Sequence, residues 1–184
     1  MIQHKILLSL VSVAMLASSV NADAYVTLTA GALDMDKTVF ATADGDNSNI
    51  KKIISYNDVT LIGLEFQAID YLEDSYFMWG VGAGATFNEG SFLEGGTLDV
   101  DLKIGGYYND FSAYGIVGYG IQSLSDYAVS LGSVYGVGAN YDLFEHMAIR
   151  AEYRTHAFKT ENDDLFTGQE YTLSGITVGV SYKF

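Results

Sequence analysis

The chain of 184 residues contains no cysteine and no proline. Without cysteine there is no disulfide framework, and with only three scattered histidines there is no Cys/His zinc motif. The missing proline suits a chain made mostly of paired strands, because proline cannot donate to a ladder. Basic residues are scarce: nine Lys and Arg stand against 23 Asp and Glu, a formal charge of −14. Such a chain would be repelled by nucleic-acid phosphates, so no nucleic-acid partner is expected. Electrostatic docking on an anionic bilayer surface is disfavoured for the same reason. Beyond the N-terminus no run of about 20 apolar residues occurs, so no membrane-spanning helix is expected. Yet 49% of the residues are hydrophobic, with 14 Tyr, 10 Phe and 20 Gly. The apolar groups must either form a soluble core or face lipid at alternate positions.

The N-terminus reads as a secretory signal. His4 and Lys5 precede an apolar stretch from Ile6 to Val20, and Val20-Asn21-Ala22 is a small-residue cleavage site before Asp23. Residues 1–22 are expected to be removed, leaving 23–184 as one domain. An N-terminal anchor is the weaker reading, because the apolar run is too short to span.

The last stretch, Tyr171 to Phe184, shows the pattern that organises the rest. Ile176, Val178, Val180, Tyr182 and Phe184 alternate with Gly175, Thr177, Gly179, Ser181 and Lys183. A period of two is a strand with two unlike faces. It persists for about ten residues, the length that crosses a bilayer when tilted. The closing aromatic pair belongs at a membrane interface. Seven more such segments precede it, at 24–33, 53–69, 76–87, 97–108, 112–124, 127–141 and 147–159. The face of segment 112–124 is ambiguous, since Tyr114, Ile116, Val117 and Tyr119 fall on both parities. The connections alternate between short (70–75, 109–111, 142–146) and mostly longer ones (34–52, 88–96, 125–126, 160–170). Short periplasmic turns and longer outer loops predict an eight-stranded antiparallel up-and-down transmembrane β-barrel, with both termini periplasmic.

The signal ending Val20-Asn21-Ala22, the Gly/Tyr-rich strand Ala113 to Gly120 and the ending Gly179 to Phe184 resemble the small eight-stranded outer-membrane barrels. These are the outer membrane protein A and X type and the opacity-protein-like surface antigens. The resemblance implies a Gram-negative outer membrane, with lipid and lipopolysaccharide as surroundings. It implies that Phe184 is read by the barrel-assembly machinery. It also implies envelope integrity and adhesion or host interaction as roles, and a monomer is expected.

Parity places a charged set on the inside: Glu65, Asp99, Asp101, Lys103, Arg150, Glu152, Arg154 and His156. Antiparallel heights put Arg154 with Asp99 and Asp101, Lys103 with Glu152, and Arg150 with Glu65. An eight-stranded barrel is narrow enough for side chains to fill, so a salt-bridge plug is expected. The alternative is a narrow pore lined by the same residues. The inward glycines leave room for long side chains; none lies between a strand and a helix, as a phosphate loop would require.

His156 is the one tempting catalytic group, because outer-membrane lipases and deacylases pair His with Ser. No Ser lies within two positions of it, so no enzyme is expected, and a lipid-modifying activity is the third reading. Asp44 to Asn49 resembles a calcium loop but has Asn49 at its sixth position and Ser55 at its twelfth, where Gly and Glu belong. No metal or cofactor is expected. Loops 34–52, 88–96 and 160–170 are the expected recognition elements. Two of them hold apolar pairs, Val39-Phe40 and Leu165-Phe166. A soluble lipocalin-like barrel would invert the faces and leave the aromatic ends without a reason.

Overall fold

The computed structural model describes residues 22–42, 49–72, 75–90, 93–124, 129–160 and 169–184. They form eight strands: β1 Asp23–Thr42, β2 Asn49–Tyr71, β3 Phe77–Gly90, β4 Leu93–Tyr108, β5 Phe111–Leu124, β6 Val129–Phe144, β7 Met147–Thr160 and β8 Gln169–Lys183. Each is antiparallel to its sequence neighbour, and β1 also pairs with β8, which closes the sheet into a barrel. No sheet edge runs the length of the barrel, so its backbone groups are paired without water.

The stagger follows from the registers. Stepping across neighbouring strands from Thr27 leads through Glu65, Gly84, Asp99, Gly120, Gly132, Phe158 and Tyr171, and returns to β1 at Lys37. The path comes back ten residues along, from 27 to 37. With ordinary strand spacings, eight strands at that shear tilt by about 40° and enclose a tube of about 8 Å backbone radius.

The outward face is apolar. Leu28, Ile62, Val100, Val117, Val137, Ile176 and Val178 are exposed along it. Aromatic rings mark both ends of this band. Tyr76, Tyr108, Phe111, Phe144, Tyr182 and Phe184 ring the end that carries the termini and tight turns. Phe87, Tyr119, Tyr135 and Tyr153 lie toward the opposite, loop-bearing end. Such girdles anchor a barrel at two interfaces. On the same face the indole of Trp79 donates to Asp70 at 3.1 Å, satisfying an acid that faces outward. Trp79 is the only tryptophan. In reconstituted vesicles its fluorescence is expected to be quenched by brominated acyl chains and spared by aqueous iodide; the reverse would contradict an outward lipid face.

Two connections are tight. Asn109 has φ 52° in the two-residue link between β4 and β5, a conformation that asparagine tolerates better than most residues. The 34–52 loop is corrected. It is mostly strand, because β1 continues to Thr42 and β2 begins at Asn49. The pairing shifts between Leu33 and Met35, where Val59 and Tyr56 are the successive partners, so a bulge on β2 breaks the alternation. The strands likewise extend to Gly90 and from Leu93, which leaves residues 91–92 as the connection in place of 88–96. Most of the calcium-like stretch (44–48) and the Leu165-Phe166 pair lie outside the described residues, as do residues 1–21 of the expected signal.

Candidate functional site: the filled lumen

Every second residue of each strand points into a tube only wide enough for side chains, and the residue types there decide what the tube does. On β2, Glu65, Gln67 and Ile69 share the inward face. On β4 it is Thr97, Asp99, Asp101 and Lys103, and on β7 Arg150, Glu152, Arg154, His156 and Phe158. All eight charged positions singled out from parity are buried, and they meet in one cluster.

Glu65 is the hub. One carboxylate oxygen takes the Lys103 ammonium. The other accepts from Arg150 at 2.6 Å and from Arg154 at 3.0 Å. Arg154 spreads its guanidinium over three strands: Nε to Glu152 at 2.6 Å, one terminal nitrogen to Glu65, the other to Asp101 at 3.0 Å and Asp99 at 3.7 Å. Lys103 also meets Asp101 at 2.8 Å and Glu152 at 4.0 Å. His156 Nε2 is 3.3 Å from Asp99, and its ring stacks on Phe158. Arg154 meets Asp99 and Asp101, Lys103 meets Glu152 and Arg150 meets Glu65, the pairs expected from height, and further contacts join the three levels into one network. The cause is reach: Arg154 and Lys103 are long enough to touch acids above and below their own level.

Neutral groups complete the cluster. Arg150 donates to Gln67 at 2.8 Å, and the Tyr114 hydroxyl donates to Glu152 at 2.9 Å. Gln67 shares the parity of Glu65 and was legible as inward. Tyr114 was not, because both parities of β5 carry aromatic and aliphatic residues. The structure resolves that ambiguity: Ser112, Tyr114, Ile116 and Gln122 are buried inside, while Val117, Tyr119 and Ile121 are exposed outside. Gly138 lies between Tyr114 and Glu152 on the neighbouring strands, and the tyrosine ring crosses the space a side chain there would fill.

Two apolar layers bound the charges, and parity reasoning missed both. At the loop end Leu33, Met35, Val59, Leu61, Phe158 and Leu173 pack together. At the turn end Tyr25, Ile69, Met78, Tyr114 and Ile116 do the same. Chain order fixes the stacking: β2 passes Leu61, then Glu65, then Ile69 on its way down the lumen. The cavity left beside Glu65, Thr86, Asp99 and Arg154 has a volume of about 20 Å³. That is room for roughly one water molecule.

Among the described residues, no three His, Cys, Asp or Glu side chains are placed to hold a metal ion. Asp23 begins β1 directly after Ala22. Phe184 follows β8; its amide donates to Ala24 O at 3.0 Å, and its exposed ring packs edge-on against Tyr182 with centroids 5.2 Å apart.

The sequence profile of the family described as "Outer membrane protein beta-barrel domain" matches residues 6–184. Among solved structures, Neisserial surface protein A is similar at a TM-score of 0.53 and 13% identity, over 88% of this chain and 97% of that one. The outer membrane protease OmpT of Escherichia coli is similar at 0.50 and 11% identity, over 88% and 97%. The outer membrane protein OprG of Pseudomonas aeruginosa reaches 0.49 and 17% identity, over 87% and 95%. At such identities the likeness is one of fold. No curated protein matches the chain.

Proposed function

This chain belongs to the outer membrane protein β-barrel domain family, and we propose that it serves as a closed, non-enzymatic surface barrel that supports the envelope and recognises partners through its loop end. The filled lumen carries this reading. A buried ion network lies between two apolar layers, and an ion would have to displace both to pass. His156 is engaged by Asp99 within that network and is only 4% exposed, which keeps it from lipid.

The loop end supports the recognition role. β1 and β2 stay paired as far as Thr42 and Asn49, whereas pairing of β2 with β3 begins at Thr60 and Glu89. The β1–β2 hairpin therefore runs past the end of β3, and Ile53 on it is 57% exposed. A rigid scaffold that carries a projecting element is a common basis for adhesion or contact with a host. In this reading residues 1–22 are removed as an export signal, both termini face the periplasm, and the barrel-assembly machinery reads Phe184. The barrel then stands as a monomer among lipid and lipopolysaccharide.

The test is planar-bilayer conductance of the refolded chain from Asp23 to Phe184. Electrical silence is expected. Sustained, uniform current steps would overturn the closed reading in favour of a narrow pore.

A further inference from the structure

The turn-end mouth of the barrel holds a second cluster of polar groups, separate from the lumen network. A cavity of about 170 Å³ opens there between the termini and the β4–β5 link. Its charges do not balance. Asp23, Asp110 and Asp142 line it against Lys183 alone, and Lys183 is already paired with Asp23 at 2.5 Å. Asp110 and Asp142 thus face the cavity without a salt bridge to its lining residues, Lys183 acting on Asp142 only at longer range.

Asn140 supplies an independent sign of what belongs there. It lines the cavity and is 2% exposed. Its side-chain amide donates to Asp142 Oδ1 at 2.8 Å, which fixes the orientation of the group. The carbonyl oxygen is then left buried without a partner. A buried carbonyl without a hydrogen bond is unfavourable, so the site is short of a donor. The bulge between Asp142 and Phe144 ends the regular pairing of β6 with β7 beside this group.

The walls narrow the class of donor. Tyr71 and Tyr107 meet edge-to-face at 4.9 Å at one side of the cavity, and Phe111 lines it as well. Aromatic faces beside carboxylates favour an organic cation. Among the described residues the acids are not placed for metal coordination. The Asn140 carbonyl takes a donor hydrogen, which a quaternary ammonium lacks.

We propose that this mouth binds a primary ammonium group, held between Asp142, Asp110 and the Asn140 carbonyl. Two sources share that chemistry. One is the α-ammonium of Asp23 itself, freed if the chain is cut after Ala22. The other is a small alkylammonium that enters from the turn side.

Nuclear magnetic resonance on residues 23–184, which contain all eight strands, separates the two. In the first arm the α-amino group of a chain beginning at Asp23 is titrated. It is expected above its ordinary range of about 7.7–8.0, and Asp142→Asn should bring it back. In the second arm the α-amino group is acetylated and 1,4-diaminobutane is added. A saturable shift of the Asn140 side-chain amide is expected, weakened about tenfold by Asp142→Asn. Tetramethylammonium should not reproduce it. A positive first arm assigns the site to the chain's own terminus, and a positive second arm alone assigns it to an external amine. An ordinary α-amino titration together with no Asn140 response, or a response that tetramethylammonium matches, overturns the proposal.

Discussion

Arg154→Met is expected to lower the stability of the barrel by about 3–5 kcal/mol, the effect of leaving buried charges uncompensated. Four carboxylates, those of Glu65, Asp99, Asp101 and Glu152, touch this one guanidinium. Without it they keep only Lys103 and Arg150, with His156 beside Asp99. Methionine has nearly the length of the lost stem, so packing changes little and the loss is one of charge. Arg154→Lys separates charge from shape. It restores the cation but not the fork that meets three strands at once, so its stability should fall between the two. Urea unfolding from lipid vesicles, followed by Trp79 emission, measures both. A midpoint for Arg154→Met equal to that of the parent would remove the network from any account of stability.

Gly138→Val is the second large effect, and it acts through shape alone. A Cβ at this position would lie 2.5 Å from Cε2 and 2.8 Å from Cζ of Tyr114, and 2.8 Å from Cγ of Glu152. The ring cannot swing aside freely, because its hydroxyl is bonded to Glu152 and the residue is 5% exposed. Either the ring moves and the hydrogen bond to a buried carboxylate is lost, or β5 and β6 separate. A loss of about 3 kcal/mol is expected, at the upper end of overpacking effects. Gly138→Val should cost less when added to Tyr114→Ala than when added to the parent, since the collision with the ring is gone and only that with Glu152 remains. If Gly138→Val costs as much on top of Tyr114→Ala as it does alone, the ring is not the cause.

Legibility in the sequence tracked the solvent on each face. Where one side of a strand meets lipid and the other meets the lumen, alternation is clean. The eight strands and the faces of β1, β4, β7 and β8 could be read from residues such as Leu28 against Thr27, or Val178 against Thr177. The inward position of all eight network residues was readable for the same reason. The ends of β1 and β2 were not. Asp34 and Asp36 are exposed on one side of β1 while Leu33 and Met35 are buried on the other. A polar stretch read only by composition looks like a loop although its backbone is still paired. The apolar layers escaped because parity was equated with polarity: Tyr114, Ile116 and Val59 point inward against that rule. A lumen this narrow tolerates apolar residues wherever no charge needs a partner, and parity alone cannot say where that is.

The Glu65 hub also bears on how the barrel is assembled. Its three cations come from positions 38, 85 and 89 residues further along the chain. A sheet that has grown only as far as β4 offers Glu65 nothing but Lys103. The arginines arrive with β7, next to the last strand, when the tube is about to close. Until then Glu65 on β2 and Asp101 on β4 share the single cation of Lys103, and Asp99 and, later, Tyr114 on β5 stand on a face without their partners. In hydrocarbon such half-built sheets are strongly disfavoured. Insertion is therefore driven toward an all-or-none event, in which the last strands arrive together with the cations that the earlier ones lack.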